Sequence, residues 1–164
     1  LDPLNPRVHL SRARIESWAN RHDAARDSYA KALELSPGIT SAHAGIATQY
    51  MLEGRLEDAL AESNGEESTG YRSCAQSMIY HALGRTRESD EALAALKKEG
   101  KEWSYQIAMV SAYRGECDEA FAWLEQACAL RDPGVQSVKV QRVFAGLHDD
   151  PRWPELLKKI GLTA

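Results

Sequence analysis

The sequence lacks long apolar runs, and no stretch approaches the roughly 18 consecutive residues that a membrane-spanning helix needs. Cysteine is also scarce: the chain has 3 cysteines among 164 residues, and an odd number without regular spacing argues against a disulfide framework. Reduced thiols are typical of cytoplasmic proteins. Together the two shortages predict a cytoplasmic protein with no membrane segment.

The chain also lacks the excess of positive charge that is typical of nucleic-acid-binding proteins. Its net charge is -4, which has the wrong sign for contact with a phosphate backbone. The acidity is local, because residues 40–70 contain six acidic residues and one basic residue. The pairs Glu57-Asp58 and Glu66-Glu67 are predicted on an exposed face, where they are unsuited to general acid–base catalysis. We expect no nucleic-acid contact by this region.

Motifs of catalysis and metal binding are absent as well. None of the five histidines lies at a ligand spacing such as HExxH, and no CxxC pair is present. Cys117 and Cys128 are 11 residues apart, which places them about three turns apart on one predicted helix, too far to share an ion. Neither a glycine-rich phosphate loop nor a GxSxG motif occurs. The sequence therefore predicts a protein that is not an enzyme and holds no metal or cofactor.

Alanine and leucine, in contrast, are abundant. Apolar residues make up 43% of the chain, enough to bury a core, and β-branched residues are sparse, so helix is favoured over sheet. Several residues recur at an interval of 34. The matching pairs are Pro3 and Pro37, Ala13 and Ala47, Asn20 and Gly54, and Ala25 and Ala59. Coincident matches at one period indicate an internal repeat.

The repeat continues at a shorter spacing. Glycine marks each predicted turn, at Gly54, Gly84 and Gly115, and a small residue follows five positions later. Those small residues are Ala59, Ser89 and Ala120. A glycine lets the backbone reverse direction between two helices, and small residues let two helix axes come close together. The pattern therefore predicts successive antiparallel helix pairs.

These features resemble the tetratricopeptide repeat (TPR), which is about 34 residues long and has small, aromatic and proline residues at set positions. The residues that carry the resemblance are Ala25, Tyr29, Ala32 and Pro37 in the first repeat, and Ile46, Ala47, Tyr50, Gly54 and Ala59 in the second. Arg12 departs from the pattern, because a large apolar residue is typical at its position. The segment Ser63-Asn64-Gly65 departs as well, since it is expected to end a helix early.

The resemblance implies an all-α fold, namely a right-handed α-solenoid of antiparallel helix pairs with about four repeats and a C-terminal helical cap. The repeats are predicted over residues 1–134, and residues 135–164 are predicted as capping helices of the same domain. The valines within 135–147 suit a strand or a short helix. Helix is favoured because a strand would have no partner there.

Apolar periodicity and turn residues set the predicted helix boundaries. The predicted helices cover residues 6–19, 22–35, 40–53, 56–63, 71–83, 86–98, 102–114 and 117–130, followed by a last helix from Pro151 to about Ile160. Asn5 is suited to cap the first helix, and Pro6 is suited to begin it.

The last part of the chain resembles the final repeat and the ending of many bacterial signalling proteins. The matching segments are residues 105–108, 114–116, 120–121, 123–125, 131–134, 149–153, 156–157 and 161–162. In such proteins the repeats follow a class III nucleotide-cyclase domain or a winged-helix DNA-binding domain. The resemblance implies the TPR region of a bacterial signalling or transcription-regulator-type protein.

One stripe of the first helices is predicted to face the concave groove of the solenoid. Its residues are Arg7, Leu10, Arg14, Thr48, Met51, Tyr71, Cys74, Met78, His81, Tyr105 and Met109. All three methionines of the chain lie on it, and Met and Tyr are favoured at adaptable binding surfaces. The stripe either binds a peptide or partner helix or packs against a neighbouring helix or the C-terminal cap. Arg7 and Arg14 are either a carboxylate-binding pair or part of a solvated face.

The leading hypothesis is a non-catalytic protein–protein interaction module that binds a peptide or helix of a partner, as a regulatory part of a larger bacterial protein. Two alternatives are a sensory domain that binds a small effector and a self-association scaffold. Leu1-Asp2-Pro3 is interpreted as the tail of an earlier helix, so the first helix pair is expected to expose an apolar face. Self-association through that end is a further prediction.

Overall fold

The structure, a computed structural model, describes residues 4–162 of the chain. Leu1-Asp2-Pro3, on which the predicted earlier helix and the match between Pro3 and Pro37 depend, lies outside the described residues. Every regular element from residue 4 to residue 162 is helical. The α-helices are α1 (Pro6–Trp18), α2 (His22–Leu35), α3 (Ala42–Leu52), α4 (Leu56–Ser63), α5 (Thr69–Ala82), α6 (Thr86–Lys98), α7 (Ser104–Tyr113), α8 (Cys117–Ala129) and α9 (Arg152–Lys159). Short 3-10 helices span Lys101–Trp103, Pro133–Ser137 and Arg142–Leu147.

The predicted helices are all present, with ends displaced by at most two residues. The Asn5 side chain accepts the Arg7 N–H at 3.0 Å and Pro6 begins α1, which confirms the predicted cap. Helix α7 begins two residues later than predicted because the chain winds as a 3-10 helix just before it. Residues 135–137 and 142–147 lie in 3-10 helices and residues 138–140 between them form a turn, so this stretch contains short helices rather than a strand, as expected.

The chain divides into two compact units, Leu1–Ala92 (unit 1) and Leu93–Ala164 (unit 2). Unit 1 contains α1 to α5 and the first half of α6, and unit 2 contains the rest of α6 and everything after it. Consecutive helices pack as pairs, α1 with α2 and α3 with α4 in unit 1, and α7 with α8 in unit 2.

Each helix pair buries two small residues that lie 12 positions apart. The pairs are Ala13 and Ala25, Ala47 and Ala59, and Ser77 and Ser89 in unit 1, and Ala108 and Ala120 in unit 2, all of them 0% exposed. Side chains of this size let two helix axes approach closely. The complete burial of these residues agrees with the role predicted for them.

The serines of the α5–α6 pair bond to each other's backbone. Ser77 Oγ donates to the Ser89 carbonyl at 2.9 Å, and Ser89 Oγ donates to the Ser77 carbonyl at 2.8 Å. The two hydroxyl oxygens are 3.3 Å apart. Both buried hydroxyl groups are therefore satisfied at a position where the other pairs have alanine.

We expect Ser77→Ala or Ser89→Ala alone to lower the free energy of unfolding by about 1 kcal/mol, because each removes a buried hydrogen bond. The double variant, which restores the alanine pair of the other repeats, should cost less than the sum of the two single changes. Urea unfolding followed by circular dichroism measures all three values. Additive losses would contradict this coupling.

Each first helix ends at a turn residue with a positive φ. The φ values are 57° at Asn20, 79° at Gly54, 71° at Gly84 and 77° at Gly115. After Gly54 the next amide donates to the carbonyl five residues earlier at 2.9 Å, which closes the last turn of α3. Glycine adopts this conformation without strain, and asparagine tolerates it. These residues therefore let the chain reverse direction between the two helices of each pair.

Tyr29 lies at the centre of the core of unit 1. The cluster contains Ala13, Tyr29, Ala42 and Ile46, with Leu10, Leu33, Ile39 and Tyr50 packed against it. The Tyr29 ring lies against Gly45 of α3, where any Cβ atom would overlap it. Burial raises the pKa of the Tyr29 hydroxyl to about 12, so the ring stays neutral. The ring and the glycine together set how closely α3 packs on α2.

In unit 2 the chain after α8 packs on the last helix pair, and we name residues 133–162 the C-terminal segment. Arg142–Leu147 contacts α7, and Pro133–Ser137 contacts α8. Its buried apolar residues are Val135, Val138, Val143, Phe144 and Leu147, joined by Trp153, Leu156 and Leu157 of α9. The segment therefore covers part of the last helix pair of unit 2, and its role as a cap of the same domain stays a prediction.

Candidate functional site

The first helices of the three pairs in unit 1 are neighbours. Helix α1 contacts α3, and α3 contacts α5. Nine of the predicted site residues lie on these helices, and we name them the first-helix stripe: Arg7, Leu10, Arg14, Thr48, Met51, Tyr71, Cys74, Met78 and His81. The remaining two predicted residues, Tyr105 and Met109, lie on α7 in unit 2.

The α1 part of the stripe carries two exposed arginines, Arg7 and Arg14. Neither forms an ion pair with a described residue, and the Arg14 guanidinium lies 3.4 Å from Ser41 Oγ. Positions seven residues apart on a helix are separated by about 10 Å. Leu10 lies between them and packs partly buried against the unit 1 core. Two guanidinium groups are therefore available on one side of α1.

The α3 part of the stripe is uncharged. Thr48 is half-buried, and its hydroxyl donates to the Ala44 carbonyl at 2.8 Å. Met51 is 4% exposed. Helix α3 therefore adds one partly accessible side chain to the stripe and buries the other.

On α5 the two end residues of the stripe reach the surface. Tyr71 is half-buried and His81 is exposed, whereas Cys74 and Met78 are buried. Burial raises the pKa of the Cys74 thiol to about 12, which keeps this thiol neutral and unreactive. None of the three cysteines, all of which are described, forms a disulfide bond.

In unit 2, Tyr105 is buried beneath the C-terminal segment. Its hydroxyl lies 2.8 Å from Ser137 Oγ, and its ring centroid is 5.7 Å from that of Phe144. The ring also lies against Gly134, where a Cβ atom would overlap it. Met109 is half-buried. Tyr105 thus holds the C-terminal segment on α7.

The predicted site residues therefore form two groups. Those with accessible surface are Arg7, Leu10, Arg14, Thr48, Tyr71, His81 and Met109, and those that are buried are Met51, Cys74, Met78 and Tyr105. Burial of the second group agrees with the packing alternative for those residues. Partner binding by the first group stays a prediction.

The acidic residues between 40 and 70 are largely engaged within unit 1. Three of them contact basic side chains: Glu53 with Arg26, Asp58 with Arg55, and Glu62 with His43. The prediction that Glu66 lies on an exposed face is wrong, because its side chain is only 2% exposed. The early end of α4 turns the chain inward, and the carboxylate accepts the Ala44 and Ser68 N–H groups. Most of the acidic residues in this stretch therefore have a partner within unit 1.

A buried polar cluster joins α1 and α2, and it was not predicted from the sequence. The Glu16 carboxylate is 4% exposed and accepts Ser28 Oγ at 2.6 Å and Arg12 Nε at 2.8 Å. Burial raises the pKa of Glu16, but the bonds from Ser28 and Arg12 outweigh it and hold the pKa below its usual range. Arg12, which departs from the repeat pattern, thus neutralises a buried carboxylate. The spacing of four between Arg12 and Glu16 was the one available signal.

Two further properties concern the described part of the chain. Between residues 4 and 162, no group of three or more His, Cys, Asp or Glu side chains is placed to hold a metal ion. None of the helices in that range combines the length and the apolar character that crossing a membrane requires.

No model of a known protein family matches the chain, and no curated protein matches it. Solved structures do match. YrrB, described as a TPR protein with an unusual peptide-binding site, gives a TM-score of 0.50 at 20% sequence identity, over 96% of this chain and 86% of YrrB. The MamA protein gives a TM-score of 0.48 at 15% identity, over 96% of this chain and 88% of MamA. The likeness to YrrB shows the fold, an α-solenoid of TPR-like helix pairs.

Proposed function

We propose that this protein is a non-catalytic interaction module that binds an acidic peptide or helix of a partner protein along the first-helix stripe. One observation carries the proposal. The stripe contains Arg7, Arg14 and His81 but no carboxylate, although residues 22–92 of the same unit contain twelve acidic and six basic residues. A strip free of acid within an acidic unit favours an anionic ligand.

The two arginines define what the ligand must offer. A guanidinium group binds a carboxylate through two parallel hydrogen bonds. Neither Arg7 nor Arg14 forms an ion pair with a described acidic residue. Their separation of about 10 Å suits two carboxylates of one peptide, either two side chains or one side chain and the C-terminus. Leu10 and Tyr71 have the partly exposed apolar surface that would contact neighbouring side chains of the peptide.

The fold supports this proposal in general terms. YrrB, which has the same type of fold, is a TPR protein with a peptide-binding site. That property belongs to YrrB, and its sequence identity to this chain is 20%. The ligand of this chain must therefore be identified by experiments on this chain.

The proposal is tested by selecting peptides that bind the whole chain from a random library displayed on phage. We expect the selected peptides to be enriched in Asp and Glu, and to bind the variant Arg7→Glu/Arg14→Glu at least about tenfold more weakly by fluorescence anisotropy. The matched control is Lys31→Glu/Arg87→Glu, which makes the same change in net charge at two other exposed positions of unit 1. Equal binding by the two double variants would reject the first-helix stripe as the site.

We further propose that the module is a cytoplasmic, regulatory part of a larger bacterial signalling or transcription-regulator-type protein. The resemblance of residues 105–162 to the ends of such proteins supports this. The open reading frame that encodes these residues provides the test. A cyclase or winged-helix domain in the same chain is the expected result, and a reading frame without any output domain would contradict the placement.

A further inference from the structure

Three polar side chains meet where α1, α2 and α3 contact one another in unit 1. Arg14 belongs to α1, Tyr29 belongs to α2, and Ser41 directly precedes α3. The Arg14 Nη2 group lies 3.4 Å from Ser41 Oγ. Burial raises the pKa of the Tyr29 hydroxyl, and the charge of Arg14 acts on it in the opposite direction. The guanidinium group is therefore close to both hydroxyl groups.

The Tyr29 hydroxyl lies at the α3 end of this junction. Of the ring atoms, Cζ, which bears the hydroxyl, comes closest to the position that a Cβ atom of Gly45 would take. The Gly45 N–H donates to the Ser41 carbonyl at 2.9 Å, so this end of the ring lies about one helical turn from Ser41. Tyr29 is 5% exposed, and its hydroxyl forms no hydrogen bond with any residue from 4 to 162. Because buried tyrosine hydroxyls usually have a partner, this one is an unused donor.

Ser41 has a backbone conformation that serine rarely adopts. Its φ is 72°, in the left-handed region where a residue with a Cβ atom is strained. Strain of this kind is concentrated at functional sites. The Ser41 side chain does not cap α3, and its oxygen faces the Arg14 guanidinium instead. Since Arg14 is the donor in that contact, the Ser41 O–H can donate to another group.

The next repeat does not contain this arrangement. Its corresponding residues are Thr48, Ser63 and Tyr71, which lie 34, 34 and 30 positions after Arg14, Tyr29 and Ser41. None of them is charged, and the hydroxyls of the first two each donate to a carbonyl of their own helix. Packing of the repeats therefore does not require a guanidinium beside two hydroxyl donors. A departure from the repeat that packing does not explain favours a role in binding.

The chemistry of the three groups indicates what they bind. A guanidinium and two O–H groups are all donors, and together they are complementary to an oxyanion. The two oxygens of a carboxylate accept up to about four hydrogen bonds, and bonds to a charged acceptor are stronger than those to a neutral one. No acidic side chain between residues 4 and 162 pairs with Arg14. A carboxylate from a ligand would therefore meet no competing group of the described chain.

We propose that Arg14, Ser41 and Tyr29 form an anchor in the first-helix stripe, where the guanidinium and both hydroxyls hold one carboxylate of the bound peptide. This proposal rests on the proposed function and names the place where the acidic ligand is held most tightly. It makes the two arginines of the stripe unequal, because the Arg7 side chain forms no hydrogen bond with a described residue. The carboxylate comes from an acidic side chain or from the C-terminus of the peptide, and the experiment separates the two.

Fluorescence anisotropy with the tightest phage-selected peptide tests the anchor. Tyr29→Phe keeps the ring on Gly45 and removes only the hydroxyl, so we expect binding about fivefold weaker. Ser41→Gly should weaken binding to a similar extent without lowering the midpoint of urea unfolding, since glycine adopts this φ without strain. The matched controls are Tyr50→Phe, and Asn20→Gly at a φ of 57°. Both make the same chemical change elsewhere in unit 1 and should leave binding unchanged.

Coupling between the substitutions tests whether the three groups act on one carboxylate. Arg14→Ala should weaken peptide binding at least about threefold more than Arg7→Ala. Tyr29→Phe should have almost no further effect in an Arg14→Ala background, because both changes then remove the same contact. If binding is lost in Arg7→Glu/Arg14→Glu but is unchanged in Tyr29→Phe and Ser41→Gly, the anchor is wrong and the proposed function stands.

A nitrogen-15 NMR titration of the whole chain tests the anchor without any selected peptide. N-acetylglycine has a terminal carboxylate, N-acetylglutamic acid α-amide has a side-chain carboxylate, and N-acetylglycinamide has none. At up to about 50 mM probe, we expect at least one acid to shift the amide signals of Ser41 and Ala42, and Tyr29→Phe to reduce the shifts. The acid that binds more tightly identifies the source of the carboxylate.

Shifts from neither acid, or equal shifts from N-acetylglycinamide, would overturn the anchor. If the phage selection yields no acidic peptide, the proposed function fails. The same titration then still decides whether Arg14, Ser41 and Tyr29 hold a carboxylate, so the two failures are distinguishable.

Discussion

Phe144→Ala is expected to lower the free energy of unfolding of unit 2 by about 3–5 kcal/mol. Phe144 is 0% exposed and is the largest of the fully buried side chains. Its removal leaves a cavity that the surrounding chain fills only in part. It also removes the ring that faces Tyr105 at a centroid distance of 5.7 Å, and such aromatic pairs contribute about 0.5–1.5 kcal/mol beyond burial.

The loss should appear first where the C-terminal segment meets α7. Phe144 and Tyr105 hold the two together, and a hydrogen bond to Ser137 completes the contact. With Phe144 truncated, the segment should open more often than the rest of unit 2. Hydrogen exchange measured by mass spectrometry should therefore show faster exchange in Arg142–Leu147 than in α8.

Val140→Ala is the matched control for Phe144→Ala, because Val140 belongs to the same segment but is 46% exposed. We expect it to change stability by no more than about 0.5 kcal/mol. Chemical denaturation of both variants gives the comparison. A Phe144→Ala cost as small as that of Val140→Ala would mean that the segment does not stabilise unit 2.

Tyr105 shows where prediction from the sequence stops. Its spacing of four from Met109 places both residues on one side of α7, because helical phase depends only on spacing along one helix. The identity of the neighbour that covers this stripe depends on residues 29 to 39 positions further along the chain, where the 3-10 turns have no clear periodicity. The sequence could therefore predict on which side of its helix Tyr105 lies, but not that Phe144 and Gly134 pack against its ring.

The helix boundaries, in contrast, depend on local signals. Turn residues with positive φ, such as Gly54 and Gly84, end the first helices, and capping by Asn5 begins α1. These signals act within a few residues, so one sequence is enough to find them. The small residues could be found for a related reason, because the same packing requirement recurs in every pair. Contacts that occur once, such as Ser28 with Glu16, have no such repetition.

Glu66 is the residue at which the local interpretation was wrong. It lies 34 positions after Ala32, a residue that is 0% exposed, so the repeat period indicated burial while its charge indicated exposure. Burial prevails because the carboxylate has partners. One oxygen accepts the Ala44 N–H in the first turn of α3 at 3.3 Å, and the other accepts the Ser68 N–H at 3.2 Å.

Helix α3 has no other side-chain cap among the described residues. Ser41, which precedes it, has a φ of 72° and makes no capping hydrogen bond with its side chain. The Glu66 carboxylate replaces that cap from a distance, and its negative charge is favourable at the start of a helix. In addition, Arg72 donates to the Glu66 carbonyl at 2.6 Å, which fixes the loop that carries the carboxylate.

Glu66→Ala should therefore lower the free energy of unfolding of unit 1 by about 2–3 kcal/mol, because it leaves a buried N–H group without its acceptor and removes the helix cap. Glu66→Gln keeps one acceptor oxygen and should cost about half as much. Glu67→Ala changes the exposed neighbour and should cost less than about 0.5 kcal/mol. Urea unfolding of the three variants measures these values. If Glu66→Ala and Glu67→Ala cost the same, the buried carboxylate does not cap α3, and the start of that helix must be stabilised by its packing on Tyr29 alone.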